Sequence, residues 1–202
     1  MPDRMAVPVP RSTPAWARST LLQRVRPVFP SVDSHASRVC LVGVRGYYRD
    51  SMGEVGRNDR GIWDDAIFVV SPEAFASFNA NTDPSRWGIN PALGKPYACL
   101  RPGEWLYRVG YHKRGKPTGH PAFVQAAEVE VERRASRDAT DAIVERGMFG
   151  INIHRASGTT TSSEGCQTVP AAQWEAFFAL VTGELKRHQQ AKLPYYLMEA
   201  QG

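Results

Sequence analysis

Only one segment has the spacing of a long helix: VPAAQWEAFFALVTGELKRHQQ, in which Trp174, Phe177, Phe178 and Val181 recur three and four residues apart, so a helix is predicted over 171–190. Every apolar stretch before it is short. RVCLVGVRGYY (38–48) is apolar enough for a buried strand, DDAIFVV (64–70) is the next, and GEWLYRVGYH (103–112) alternates as a half-exposed strand does. AFVQAAEVEVERR (122–134) puts Val129 and Val131 on one face and glutamates on the other. MFGINIH (148–154) reads as the last strand before a polar loop, and LPYYLME as a terminal strand. Many short strands with one long helix confine the chain to a mainly β fold that also contains α. Ser71 as cap and Pro72 as first helical residue predict a further helix over SPEAFASF, followed by a long ordered loop, NANTDPSRWGINPALGKP. The proline-rich residues 1–36 read as an extended arm with a short helix at PAWARSTLLQRV, and residues 37–202 as a single domain.

At 202 residues the chain has room for one sizeable core. No apolar run reaches the ~18 residues of a membrane span. The first thirty residues, broken by prolines and arginines, lack a continuous signal-peptide segment. The expectation is a protein made in a cytoplasm and released by another system if it acts outside. Cys40, Cys99 and Cys166 form no CxxC pair and read as reduced thiols. A net charge of +5 suits an anionic partner, and the densest basic stretch, YHKRGK (111–116), reads as a loop after a strand. Neither a helix-turn-helix pattern nor an aromatic-basic platform is present, so no nucleic-acid partner is expected. A monomer is expected.

The chemistry concentrates in INIHRASGTTTSSEGCQTVP (151–170). Strand alternation puts Ile151 and Ile153 toward the core and Asn152 and His154 away from it. Cys166 lies in a polar loop about four residues before the long helix, where helix N-H groups and a nearby histidine favour a thiolate. Gly165 lets the backbone turn tightly, and the N-H groups of Gly165 and Cys166 are placed to hold an oxyanion. Cys40 and Cys99, beside apolar strand sequence, read as structural thiols. Two rival sites use the same residue types. Cys99 with His154 follows the chain order of papain-like enzymes but lacks a following helix, and a zinc site from His112, His120, His154 and Cys166 lacks tight ligand spacing. No metal and no cofactor are expected.

The element His154, then Ser163-Glu164-Gly165-Cys166, ending a strand and opening a helix, resembles the catalytic domain of the L,D-transpeptidases (YkuD type), over roughly residues 100–199. The resemblance implies a β-sandwich-like pair of packed mixed sheets with the long helix against one edge. It implies Cys166 as nucleophile and His154 as base, with Ser163, Glu164 and Gly165 shaping the loop. The implied substrate is the peptidoglycan stem peptide. Glu164 stands where the family has a second histidine, and Thr168 where an arginine usually follows the cysteine. Arg155 or Arg146 then has to supply the missing charge, and Asn152, Thr168 and His120 join Arg155 as candidate substrate contacts. GRNDRGIWDDAIFVV, FNANTDPS and GMFGINIHR also resemble a phage and prophage protein group associated with cell-wall lysis. The expected activity is that of an L,D-carboxypeptidase or endopeptidase, as in a phage endolysin. The alternatives are L,D-transpeptidase crosslinking or amine exchange, and a non-catalytic, basic wall-binding or structural phage protein.

Overall fold

The computed structural model describes residues 6–36 and 38–200. The elements run α1 (Arg18–Val25), α2 (Val32–Ala36), β1 (Cys40–Arg45), β2 (Asp65–Val70), β3 (Phe75–Ala80), β4 (Ile89–Asn90), β5 (Lys95–Pro96), β6 (Ala98–Leu100) and β7 (Gly103–His112). They continue with β8 (His120–Gln125), β9 (Val129–Arg133), β10 (Ile143–Gly147), β11 (Ile153–Arg155), β12 (Gln167–Val169), α3 (Ala171–Arg187) and β13 (Leu193–Glu199). The fold is mainly β with a few helices, as the patterning predicts.

The sheets are unequal in size. One eight-stranded mixed sheet has the order β12-β11-β8-β7-β13-β1-β2-β3, beside a three-stranded sheet β10-β9-β6 and the short pair β4-β5. The large sheet curls until its two ends meet: Asn81, just past β3, and Thr168 on β12 exchange both backbone bonds, at 2.9 and 2.8 Å. A nearly closed sheet leaves few unpaired edge groups, and the three-stranded sheet packs into its interior, where Ala98, Leu100, Val129 and Val131 join Leu41, Tyr107 and Leu193 in one buried cluster. Helix α3 contacts β3 and β11 at this seam and buries Trp174, Phe177, Val181 and Leu185. Phe177 meets Phe78 and Phe123 edge-on, with ring centroids at 5.1 and 5.8 Å.

Strands β1 and β2 are buried on both faces, which explains why their sequences, apart from Arg45 and Asp65 at the ends, are apolar and do not alternate. Leu41, Ile67 and Val69 join the interior cluster, whereas Val42, Val44, Phe68 and Val70 pack outward on Leu21, Leu22, Val25 and Val32. The N-terminal region is therefore not an extended arm beyond residue 18: α1 and α2 cover the outer face of the sheet. SPEAFASF is not helical. Ser71 N-H bonds Ala74 O and Ser71 Oγ accepts from Ala74 N-H, both at 2.9 Å, closing a turn after which Phe75–Ala80 pairs back on β2. Serine and proline serve a tight turn as well as a helix start, and the apolar partner strand decides between them. The stretch 122–134 divides into β8 and β9, which belong to different sheets.

Residues 81–85 form a polar strap beneath the Cys166 loop. Thr82 gives its N-H and hydroxyl to Asp65 (2.5 and 2.8 Å), and Asp83 pairs with Arg45 at 3.0 Å. Arg45 also donates to Thr82 O and Leu100 O, at 2.7 and 2.9 Å. Ser85 N-H bonds Ser163 O at 2.8 Å, and Ser163 N-H bonds Ser85 Oγ at 2.7 Å. Asp83 and Arg45 are 2% and 5% exposed, so Asp83→Ala leaves a buried guanidinium short of its counter-charge. The expected loss is about 3 kcal/mol, seen as a fall of about 10 °C in Tm by calorimetry. A fall below about 3 °C contradicts the strap.

Candidate active site

Cys166, Gly165, Glu164 and Ser162 line a cleft of about 240 Å³ together with His154, His112, Lys113, Arg133, Phe149 and Gly150. Donor atoms of Cys166, His154 and His112 all lie within 4.8 Å of one another. The sequence-predicted pair is brought together, and a second histidine joins it.

Each element reaches the site for a local reason. Cys166 directly precedes β12, which lies parallel to β11, so both site residues come from one strand pair at the seam. The loop before Cys166 is fixed by Ser163, whose Oγ donates to Cys166 O at 2.6 Å and accepts from Gly165 N-H at 3.0 Å. Gly165 has φ +146°, and a Cβ there would lie 2.5 Å from Ala98 O, so only glycine fits. Its N-H is committed to Ser163, which leaves Cys166 N-H as the loop's donor for an oxyanion, not the two donors expected. On the other side, Gln125 Oε1 accepts from the N-H groups of Phe149, Gly150 and Ile151 at 3.1, 3.0 and 3.1 Å. This gathering shortens the expected strand to Ile153–Arg155 and holds Gly150 at the cleft.

His154 is 4% exposed, and its Nδ1 lies 2.8 Å from Arg155 O, a carbonyl that can only accept. Nδ1 therefore carries the proton and Nε2 is the free base. His112 stacks on His154 with ring centroids 4.0 Å apart. Its tautomer is the opposite one. Asn152 Oδ1 accepts from Gln125 N-H at 3.2 Å, so Asn152 Nδ2 is the donor that meets His112 Nδ1 at 3.1 Å, and the His112 proton sits on Nε2. Burial pushes His154 down to about 3, with the adjacent His112 adding to it, and pushes His112 down to about 4. Both rings are neutral at pH 7.

The thiol also departs from expectation. Burial pushes Cys166 up to about 11, against the opposing pull of the Asn152 N-H and of Lys113. Three residues of β12 and Pro170 separate it from the helix start at Ala171, so the helix terminus does not reach it. The resting group is a thiol, not a thiolate, with Sγ 3.5 Å from Gly150 O and 3.4 Å from Asn152 N.

Of the other candidates, Glu164 lines the cleft and Thr168, Arg155, Arg146, Asn152 and His120 do not. Thr168 is fully buried, held by Asn81, and is not a substrate contact. Arg155 is exposed beside the seam, and Arg146, on β10, pairs with Glu128 and with Glu130 of β9; neither arginine lines the cleft. Lys113 and Arg133 are its cations, the latter paired with Glu145 at 2.6 Å. Glu164, exposed, accepts from Asn90 Nδ2 at 3.2 Å, and Asn152 orients His112. His120 packs edge-on against His154 at 5.5 Å, behind the cleft. Cys99 faces a separate pocket and donates to Asp83 at 3.1 Å, while Cys40 is buried.

His112, which the sequence offered only as one ligand of a rival zinc site, is the cleft residue that patterning did not place against His154. It ends β7, remote in sequence from His154, and is placed opposite His120 by the β7–β8 register. The one local sign is a polar ring at the end of an alternating strand. The nitrogen and sulfur donors of His112, His154 and Cys166 also suit zinc, although a thiol with a raised pKa must first lose its proton to bind it. If the cluster acts through its thiol, treatment with EDTA is expected to leave any activity unchanged, and a loss that zinc restores reassigns the cluster to a metal. Among the described residues no helix is long and apolar enough to cross a membrane. No protein-family model, curated protein or solved structure matches the chain.

Proposed function

We propose that the protein is a cysteine-dependent peptidase of peptidoglycan stem peptides, an L,D-carboxypeptidase or endopeptidase, with an L,D-transpeptidase-like catalytic domain. One observation carries the thiol chemistry: Cys166 shares a cleft with a histidine whose Nδ1-H is held by a carbonyl, so that Nε2 is a fixed base. The substrate class comes from the resemblance of the His154 and Ser163-Glu164-Gly165-Cys166 element.

Both partners start neutral, so proton transfer accompanies attack. The Cys166 S-H proton passes to His154 Nε2 as Sγ bonds the scissile carbonyl carbon, and the oxygen takes up the negative charge. Cys166 N-H receives that oxyanion. His112 Nε2-H is available to the same cleft as a second donor. The intermediate collapses to a thioester, and the leaving amine takes the proton from His154. Water then attacks, again deprotonated by His154, and releases the acid and the free thiol. An amine in place of water gives exchange or crosslinking through the same thioester.

Incubation with purified muropeptides followed by mass spectrometry tests this reading. Loss of one alanine names a carboxypeptidase, cleavage of dimers an endopeptidase, and amine exchange a transpeptidase. Muropeptides recovered intact while the protein still sediments with cell walls make it a non-catalytic wall binder.

A further inference from the structure

Beside the cleft runs a second groove, of about 290 Å³, lined by Arg108, Gly110, Tyr111, Arg114, Met148 and the shared Gly150. Its floor and its charge both follow from β7. Arg108, Gly110 and His112 stand two residues apart on one face of that strand, opposite Val124, Ala122 and His120. Gly110 keeps the floor between the other two open, since a Cβ there would press on Val124 at 2.6 Å. Arg108 and Arg114 are exposed, and neither pairs with a carboxylate among the described residues; none of the lining residues is acidic. Arg133 and Arg137 elsewhere are paired with Glu145 and Glu54. Two unpartnered guanidiniums in a concave site that opens into a catalytic cleft suit a carboxylate, which each fork can bind through two parallel bonds.

We propose that this groove is a specificity subsite for a carboxylate on the peptide substrate, set back from the scissile bond. The proposal rests on the peptidase reading of the cleft. The rise of an extended strand puts Arg108 about 13 Å from His112, the reach of three to four residues of extended peptide. Met148 and the backbone near Tyr111 also line the path between them. The basic stretch 111–116 thus gains a use: its tip carries Arg114 to the groove and Lys113 to the cleft.

The test uses two synthetic stem peptides that differ only in having a free carboxylate or its amide at the end far from the scissile bond. For the wild type, KM for the carboxylate peptide is expected to be about tenfold lower, with kcat equal. In the Arg108→Gln/Arg114→Gln double variant that preference disappears, while kcat and the KM for the amide peptide stay as they were. Equal KM values in the wild type, or a preference that survives in the double variant, overturn the subsite. So does a polyphosphate chain that blocks the amide peptide as strongly as the carboxylate one, which assigns the groove to a wall polymer. If neither peptide is turned over, the peptidase reading fails by itself. Calorimetric binding of the two peptides to Cys166→Ala protein then still decides the groove.

Discussion

On the proposed function, Cys166→Ala is expected to lower turnover of stem peptides by about 10⁴-fold or more while leaving Tm within about 2 °C of the wild type. The thiol supplies the atom that becomes covalently bound, so no neighbouring group replaces it. Its structural share is small. Cys166 is partly exposed, and its sulfur makes weak hydrogen-bond contacts with the Asn152 N-H and the Gly150 carbonyl. Cys166→Ser should be nearly as inactive, since a hydroxyl is still harder to ionise in a site that already pushes a thiol up to about 11. Cys40→Ala and Cys99→Ala retain turnover, because Cys40 faces the α1 and α2 layer and Cys99 the pocket beneath the strap. Full activity in Cys166→Ala, with the fold intact by circular dichroism, sinks the thiol mechanism.

His154→Gln is expected to cost about 10³-fold or more in kcat/KM, close to the cost of His154→Ala. Glutamine keeps a hydrogen-bonding side chain at β11 but offers no nitrogen that can take the Cys166 proton. The pH profile gives an independent reading. Burial lowers the pKa of His154 to about 3 and of His112 to about 4, so both stay unprotonated well below neutrality. Activity on a peptide without titrating groups should therefore hold from neutral pH down to about pH 5, then fall as the free base is lost. An acid limb centred near 6.5 says that the rings are solvated, and His154→Gln with near wild-type turnover returns His154 to a packing role. His112→Gln separates the two histidines: it should lower kcat by about 10- to 100-fold while leaving the base in place, and the acid limb should move upward because the neighbour that helps to lower the His154 pKa is gone.

Local chemistry determines several features before the chain has any tertiary structure. The long helix is written in the spacing of Trp174, Phe177 and Val181, and the strands in short apolar runs. Cys166 stands out because a thiol in a polar, glycine-containing loop has no packing reason to be there, and His154 because it ends a strand on the face away from Ile153. Those patterns reach only as far as neighbouring residues. Which strand lies beside which is settled by long-range pairing, and that pairing brings His112 from β7 against His154 and draws Asn81 onto Thr168 to close the sheet. It also turns Ser71-Pro72 into a hairpin and sinks Thr168 into the interior. The ionisation of the site belongs to the same level. From the loop sequence Cys166 reads as a thiolate near a helix end, but burial, which depends on everything packed around it, keeps the proton on sulfur and both rings neutral.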